Sequence, residues 1–370
     1  MKIPFLACLI ISLLITCGKK TPDPPTIDSN DLTNIPYNPQ TYTIPIPDSI
    51  SFPKITSPTD NPLTSEGIEL GRRLFYDPIL SRDSGMSCAS CHKQKFAFTD
   101  GLSVSKGIDS ISGVRSAMSL TNIAYANKGL FWDGRAATLE DQALEPIENI
   151  VEMHDLWTNV ETKLRRHADY PTRFRKAFGI AKKTDITKTL ATKAIAQFER
   201  TLISSNAKID RIARRFTDFT DQEYDGYGLF TNIGTYPDAQ CLHCHNSPFF
   251  TANNYFNNGL DSAANLTDFK DLGRGKVTIN INDNGKFRAP TLRNIELTAP
   301  YMHDGRFKTL EEVMDHYASG GHYALNEDPF IPQIKSINLT QKQKNSIIAF
   351  LKTLTDTTFV QNPAFANPFH

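Results

Sequence analysis

The stretch Cys88-Ala89-Ser90-Cys91-His92 holds two thiols three positions apart, with an imidazole directly after the second thiol. The same pattern returns as Cys241-Leu242-His243-Cys244-His245, so the two copies use four of the six cysteines. This pattern is typical of covalent haem attachment, in which the thiols hold the porphyrin and the histidine is an axial iron ligand. The sequence therefore predicts two covalently bound haem c groups.

Three other uses of a CxxC pair fit this pattern less well. A disulfide within each pair, or one zinc site built from both pairs, leaves the histidine after each second cysteine unexplained. A thioredoxin-like redox pair belongs in a βαβ pattern, which surrounds neither copy. Haem attachment accounts for both cysteines and the following histidine of each motif, which are Cys88, Cys91, His92, Cys241, Cys244 and His245.

Length and charge set broad limits on the protein. A chain of 370 residues is long enough for two domains with separate cores. Lysine plus arginine equal aspartate plus glutamate at 40 each, so the global charge gives no reason to expect nucleic acid or an anionic membrane surface as a partner. A charged docking patch for a redox partner would have to be local.

The first 17 residues have the pattern of a lipoprotein-type export signal. Lys2 precedes an apolar run of residues 5–15, which is too short to span a membrane. Leu14-Ile15-Thr16-Cys17 resembles a bacterial lipobox, in which the cysteine is lipidated, although Thr16 stands where Gly, Ala or Ser is usual. Plain secretion is the alternative. We expect a protein on the periplasmic side of a bacterial membrane, lipid-anchored through Cys17.

The rest of the chain is expected to be a tether followed by two folded domains. Residues 18–60 are rich in Pro, Thr, Asp and Asn with little hydrophobic periodicity, which predicts a flexible tether. A polar, basic stretch near residue 210 separates a domain of residues 61–210 from one of residues 211–370, and each contains one CxxCH motif.

Helical signals dominate both domains. Ser65 is the expected N-cap of a helix that Pro78 ends, and Thr309 and Thr340 are the expected caps of two later helices. Only residues 276–280 and 286–288 are predicted to be extended. The predicted fold class is mainly α, with two tandem cytochrome-c-like haem domains, long loops and little strand.

Four motifs carry a resemblance to a known family: Leu74-Phe75-Tyr76-Asp77, Ser87-Cys88-Ala89-Ser90-Cys91-His92, Phe131-Trp132-Asp133-Gly134-Arg135-Ala136 and Thr298-Ala299-Pro300-Tyr301-Met302-His303-Asp304-Gly305. In order and spacing they resemble the bacterial dihaem cytochrome c peroxidase and MauG family. The resemblance covers almost the whole chain after the tether. It implies that the first domain holds the peroxidatic haem and the second an electron-transfer haem.

The resemblance also implies catalytic residues beside the first haem. The family has a Gln and a Glu ten and twenty residues after the Trp of FWDGRA, and here these are Gln142 and Glu152 after Trp132. Glu152 suits an acid-base role toward hydrogen peroxide, Gln142 an orienting role, and Trp132 an electron relay between the haems. The alternatives are a solvated helix residue for Glu152, a helix cap for Gln142 and a core tryptophan for Trp132. Trp157 has no such register and is predicted to be a core residue.

Ordinary dihaem peroxidases carry a histidine in the loop before FWDGRA that caps the oxidised iron until reduction displaces it. This chain has no histidine between His92 and His154. The resemblance to the MauG branch then implies a first haem that is open to peroxide without reductive activation. His154 is the histidine that we would suspect of reaching the iron instead.

Tyr317 stands where the peroxidases have a Met ligand to the second haem and the MauG branch has Tyr. A phenolate favours ferric and higher states of iron, whereas a thioether favours the ferrous state. The resemblance therefore implies a second haem, held by His245 and Tyr317, that stores oxidising equivalents. Met302 is the alternative ligand.

A calcium ion between the haems is a further implication of the resemblance. The family uses an Asn side chain and carbonyls of the TAP segment, and here Ser116 replaces the Asn, while Thr298 and Pro300 retain their carbonyls. Family analogy also implies a homodimer.

The resulting hypothesis is an exported dihaem c-type peroxidase that reduces hydrogen peroxide with electrons from an external donor, such as a small cytochrome or a cupredoxin. One alternative is a MauG-like enzyme that uses peroxide to oxidise side chains of a partner protein. Another is a non-enzymatic dihaem electron carrier, which predicts six-coordinate low-spin iron at both sites.

Overall fold

The computed structural model describes Met1, residues 29–47 and residues 52–369. The predicted lipidation site Cys17 and, apart from Met1, the predicted export signal lie outside the described residues. Within the described part, the chain is mostly helical, as predicted, and has one two-stranded sheet.

The first body carries the first CxxCH motif. Its α-helices are α1 (Ser65–Tyr76), α2 (Cys88–Cys91), α3 (Leu139–Gln142), α4 (Glu145–Glu148), α5 (Trp157–Arg166), α6 (Tyr170–Phe178) and α7 (Lys188–Arg200). Short 3₁₀ helices connect them at Pro78–Leu80, Gln94–Phe96, Ile123–Tyr125 and Lys183–Asp185.

The second body carries the second motif. Its α-helices are α8 (Lys208–Ala213), α9 (Asp221–Thr231), α10 (Cys241–Cys244), α11 (Arg274–Thr278), α12 (Leu310–Ser319), α13 (Phe330–Ile337) and α14 (Gln341–Lys352), and α15 (Thr357–Val360) follows. Strands β1 (Tyr255–Phe256) and β2 (Phe287–Arg288) pair antiparallel, and 3₁₀ helices lie at Ile281–Asp283, Ile295–Leu297 and Pro363–Phe365.

Local capping signals set the helix starts. Thr64, one residue before the predicted cap Ser65, accepts a hydrogen bond from the backbone of Gly67 at 3.0 Å and begins α1. Thr309 and Thr340 cap α12 and α14 as predicted, each in a reciprocal capping box.

The prediction that residues 276–280 are extended is wrong. Residues 274–278 form α11, which ends at Ile279 in a left-handed conformation with φ 55°. Alternating apolar residues do not specify a strand unless a partner strand lies alongside them. In addition, the side chain of Ile279 is exposed. The predicted extended piece at residues 286–288 does pair, because Phe287 lies opposite Phe256 in β1.

Two hydrophobic clusters underlie the two bodies, but they do not follow the predicted boundaries. Leu32, within the predicted tether of residues 18–60, is 4% exposed in the first cluster, and its N–H donates to the carbonyl of Ala181 at 2.8 Å. Phe359 and Phe365, within the predicted C-terminal domain of residues 211–370, also lie in the first cluster. Apolar side chains at both ends of the folded chain thus return to the first core.

In the described part of the chain, no helix has both the length and the apolar character that a membrane-spanning segment requires.

Candidate functional site

The first CxxCH motif forms one helical turn that presents His92 to a cavity. The backbone N–H of His92 donates to the carbonyl of Cys88 at 2.9 Å. Its ring Nδ1 lies 2.8 Å from the carbonyl oxygen of Phe98, so Nδ1 carries the proton and donates it. Burial lowers the pKa of His92, which keeps the ring neutral. With Nδ1 held in this way, Nε2 is the ring nitrogen that would bind a metal.

The second motif repeats this geometry. The N–H of His245 donates to the carbonyl of Cys241 at 2.9 Å, and Nδ1 donates to the carbonyl of Phe250 at 3.1 Å. Burial lowers the pKa of His245 to about 4. A ring nitrogen held by a backbone carbonyl is the usual second contact of a metal-ligating histidine, because it fixes the tautomer and the ring orientation.

The residues of each motif fit a covalently bound haem. Cys88 and Cys91 are free thiols that line one cavity with His92, and this cavity has a volume of about 1480 Å³. Cys241 and Cys244 are free thiols that line a second cavity with His245. Because the motifs line different cavities, the alternative of one zinc site built from both pairs does not fit. We call these spaces the first cavity and the second cavity.

The residues predicted to act on peroxide line the first cavity. Gln142, Glu152 and Trp132 share its wall with His92. Gln142 is the last residue of α3, and its backbone N–H donates to the carbonyl of Thr138 at 3.0 Å. The interpretation of Gln142 as a simple helix cap therefore does not apply, since Thr138 caps this helix.

Glu152 is held by a turn that sequence analysis did not single out. Its Oε1 accepts a hydrogen bond of 2.7 Å from Nδ2 of Asn149. Asn149 Oδ1 in turn accepts the backbone N–H of Val151 at 3.2 Å, which fixes the amide. Burial raises the pKa of Glu152, and the bond from Asn149 opposes that rise. The carboxyl group is thus poised to exchange a proton inside the cavity.

His154 points away from the first cavity, contrary to the suspicion that it reaches the iron. Its ring contacts Asp109 and Arg82, and its side chain is 38% exposed. Asp109 also pairs with Arg82. His154 thus belongs to a surface ion cluster and is not among the residues that line the cavity.

Trp132 lies on the boundary of the two cavities and lines both. Its indole Nε1 donates to the carbonyl of Ser116 at 2.9 Å, and its own carbonyl accepts the N–H of Arg288 at 2.8 Å. An aromatic ring fixed between two redox cavities is suited to electron transfer. Trp157, by contrast, is 3% exposed within the first core, as predicted.

Both candidate ligands of the second haem line the second cavity. Tyr317 and Met302 face the same amide, because Nδ2 of Asn258 lies 3.4 Å from the hydroxyl of Tyr317 and 3.4 Å from the sulfur of Met302. Burial raises the pKa of Tyr317 to about 12, so the phenol stays protonated until a cation binds its oxygen.

Several residues near the second cavity were not assigned a role from the sequence. Nε2 of His316 donates to the carbonyl of Asn258 at 3.0 Å and so supports the residue between the two candidate ligands. His303 lies flat on Phe287 with a centroid distance of 3.6 Å. Only the fold brings these pairs together, since each joins segments far apart in sequence.

The residues predicted to surround calcium lie together on the wall of the second cavity. These are Ser116, Thr298 and Pro300. The hydroxyl of Ser116 donates to the carbonyl of Met302 at 3.0 Å, and its N–H donates to the carbonyl of His303 at 2.7 Å. Ser116 therefore ties the loop before Trp132 directly to the TAPYMHDG segment. Calcium binding stays a prediction.

Comparison with known proteins identifies relatives of this chain. Residues 65–218 match the family model described as di-haem cytochrome c peroxidase. The methylamine utilization protein MauG of Methylophilus methylotrophus is 34% identical over 303 residues, covering 81% of this chain and 85% of that protein. Cytochrome c551 peroxidase of Nitrosomonas europaea is 36% identical over 295 residues, covering 80% and 81%.

Solved structures show the same relationship. The crystal structure of a MauG-like protein associated with microbial copper homeostasis matches with a TM-score of 0.80 and 33% identity, covering 89% of this chain and 100% of that one. Homologues on both the peroxidase and the MauG side thus align with nearly the whole folded part. The chain is a haem peroxidase and belongs to the bacterial di-haem cytochrome c peroxidase and MauG family.

Proposed function

We propose that this protein is an exported di-haem c-type peroxidase. It reduces hydrogen peroxide to two waters with two protons and two electrons from an external donor, such as a small cytochrome or a cupredoxin. The observation that carries the proposal is the presence of Gln142 and Glu152 on the wall of the cavity that His92 also lines.

Residues of this chain carry out the proposed proton transfer and orient the peroxide. When bound, the haem iron supplies the electron transfer that cleaves the oxygen–oxygen bond. Glu152 takes a proton from one peroxide oxygen and returns it to the other, which leaves as water. Gln142 orients the peroxide through its side-chain amide. Since burial raises the pKa of Glu152, its carboxyl group can both accept and release a proton nearer to neutral pH.

The optical spectrum of the oxidised protein tests this function. We expect a high-spin haem that changes on addition of hydrogen peroxide, and steady turnover with a reduced small cytochrome. Glu152→Gln should slow the peroxide reaction by about 100-fold or more, whereas Glu161→Gln on α5 should not, because Glu161 pairs with Arg165 and neither residue lines the cavity. Two low-spin haems with no response to peroxide would instead support the non-enzymatic electron carrier.

The second haem is proposed to supply or store the other oxidising equivalent, with Trp132 as the relay. Tyr317 would hold the second haem iron together with His245, and Met302 is the alternative. Tyr317→Met should raise the reduction potential of the second haem, because a thioether favours ferrous iron. An unchanged potential, together with a change in Met302→Leu, would transfer the ligand role to Met302.

The second candidate function is MauG-like oxidation of side chains in a partner protein. It is favoured by Tyr317 and by the absence of a histidine between His92 and His154. Slow reaction with reduced cytochrome and a long-lived oxidised state after peroxide would support this candidate over the peroxidase.

We also propose anchoring through a lipid on Cys17. Mass spectrometry of the mature chain from the native host should find a diacylglyceryl group on an N-terminal Cys17, and Cys17→Ser should release the protein from membranes. A mature chain with an unmodified N-terminus beyond residue 17 would indicate plain secretion.

A further inference from the structure

Arg288 is a buried cation that has no carboxylate partner among the described residues. The residue is 5% exposed, and its Nε is a buried donor with no hydrogen-bond partner in the described part of the chain. Nη1 donates to the carbonyl of Gly129 at 3.0 Å, which is a neutral acceptor. Burial of a guanidinium without an anion is costly, so such a group normally has a counter-charge.

Other buried arginines of the chain do have one. Arg293, 2% exposed at its side chain, makes two bonds of 2.9 Å to Asp210. Arg200 makes two bonds of 2.8 Å to Glu140. Among the residues that the structure describes, no carboxylate forms an ion pair with Arg288. Burial accordingly lowers the pKa of Arg288 to about 10, which still leaves it charged at neutral pH.

The position of Arg288 indicates which anion it meets. It lies in β2 and lines both the first and the second cavity. Haem c carries two propionate groups, which remain free carboxylates after the thiols have reacted with the vinyl groups. A guanidinium suits a carboxylate, since its planar donors match the two oxygens.

We propose that Arg288 is the counter-charge of a haem propionate at the boundary of the two cavities. Its backbone N–H donates to the carbonyl of Trp132 at 2.8 Å, so one residue connects a porphyrin edge to the aromatic side chain that lines both cavities. Arg288 is thus a positioning residue for a haem beside Trp132. The proposal rests on the two haems and not on the identity of the oxidised substrate.

Reduction potentials of the purified di-haem protein test the proposal without peroxide turnover. A nearby positive charge favours ferrous over ferric iron, so Arg288→Met should shift the ferric–ferrous equilibrium of at least one haem about tenfold toward ferric. Arg288→Lys keeps the charge and should largely retain the potential. Arg274→Met is the matched control, because Arg274 donates to Asp133 and Gly134 and stacks on Tyr255 but lines neither cavity.

Unchanged potentials in a fully loaded Arg288→Met protein would overturn the proposal, as would an equal shift in Arg274→Met. If the Arg288→Met protein does not acquire both haems, resonance Raman spectra of Arg288→Lys test the contact with the propionate instead. A shifted propionate-bending band relative to the unmodified protein supports the contact, and an unshifted band rules it out.

Discussion

At the scale of single residues, Asn149 determines how Glu152 meets the first cavity. The family resemblance, through the register with Trp132, pointed to Glu152 and Gln142, and both line the cavity. Asn149 carried no such signal, because its role depends on a turn in which its amide contacts both Glu152 and the backbone of Val151. A local turn of this kind has no spacing rule that a single sequence reveals.

Asn149→Ala should change the pH dependence of the peroxide reaction. The Asn149 donor favours the carboxylate form, so its loss raises the pKa of Glu152 further. Since the carboxylate is the proposed proton acceptor, the low-pH limb of the rate profile should move to higher pH. On the acidic limb of the profile the rate should fall about tenfold, as expected for one lost hydrogen bond to a charged group.

Stopped-flow rates between pH 5 and pH 9 measure this shift. Asn159→Ala is a suitable control, because Asn159 donates to Asp155 outside the cavity. Superimposable profiles for Asn149→Ala and the unmodified protein would show that Asn149 does not act on the reacting carboxyl group.

Glu199 is a second buried carboxyl group on the wall of the first cavity. It is 4% exposed, and its Oε2 has no hydrogen-bond partner within the part of the chain that the structure describes. Ile195 and Phe198, on the same helix α7, are buried apolar residues. Glu199 is buried as well because α7 is enclosed on most sides, with α1 against one face and the cavity against another. Periodicity alone does not reveal a helix enclosed in this way.

Glu199→Gln should be more stable than the unmodified protein at high pH and equal to it at low pH. Burial raises the pKa of Glu199 to about 8 in the folded state. Between the unfolded pKa of about 4.5 and that value, the folded state binds more protons, so stability falls as pH rises by up to about 1.4 kcal/mol per pH unit. Chemical denaturation at pH 5 and pH 8 measures the difference, and a constant difference would contradict the burial argument.

At the scale of elements, each body is built on one crossing of two helices. The helix before each CxxCH motif packs against a later helix of its body, α1 against α7 and α9 against α14. A glycine lies at each crossing. A Cβ on Gly71 would stand 1.8 Å from the carbonyl oxygen of Ala194, and one on Gly226 would stand 1.9 Å from that of Ser346. Both crossings thus require direct backbone contact.

Gly71→Ala and Gly226→Ala should each destabilise one body, by about 1–3 kcal/mol or more, because the backbone at the crossing must move apart. Each variant should lose haem from one motif only. Gly71→Ala should reduce haem attachment at the first CxxCH motif, and Gly226→Ala should reduce it at the second. Thermal unfolding and haem-stained peptide maps report both effects. Gly113→Ala serves as control, since the nearest atom to its Cβ would be 3.6 Å away. Equal loading in all three variants would contradict the role of the crossings.

Local signals and long-range contacts differ in how far the sequence reveals them. The caps at Thr309 and Thr340 depend on residues three positions apart, and both were predicted. The glycine crossings depend on pairs such as Gly71 and Ala194, which only the packed helices bring together. The mainly helical fold class was therefore predictable, whereas the packing partners of the helices were not.

At the scale of the whole molecule, the chain closes on itself. The last helical turns leave the second body and pack on the first, where Phe359 meets Phe98 edge to face at 5.7 Å. Arg72 and Tyr76 of α1 donate to backbone carbonyls of residues 363–366. A division by sequence position at residue 210 could not reveal this return, because the closing segment has no pattern that distinguishes it from the second body.

Asp356 fixes the point where this segment leaves the second body. It is 2% exposed, and its Oδ2 accepts backbone N–H groups of Ser205 at 3.1 Å and Asn206 at 2.9 Å from the junction between the bodies. Its Oδ1 accepts the N–H groups that start α15. One carboxylate therefore holds the junction and the closing segment together.

Asp356→Ala should release the closing segment and thereby alter the first haem. The orphaned N–H groups should lower the free energy of unfolding by about 2–4 kcal/mol. Phe98, which contacts Phe359, also supplies the carbonyl that accepts Nδ1–H of His92. A loosened bond makes the imidazole a weaker donor to iron and disfavours ferric iron, so the potential of the first haem should rise while that of the second does not.

Denaturation curves and a redox titration of Asp356→Ala distinguish this closure from simple surface packing. Asp315→Ala removes an exposed ion pair with Lys344 and should cost less than about 1 kcal/mol without moving either potential. Equal changes in stability and in haem potentials in the two variants would show that the closing segment neither stabilises the fold nor affects the first haem. A stability loss with both haem potentials unchanged would mean that the segment secures the fold but does not reach His92 through Phe98.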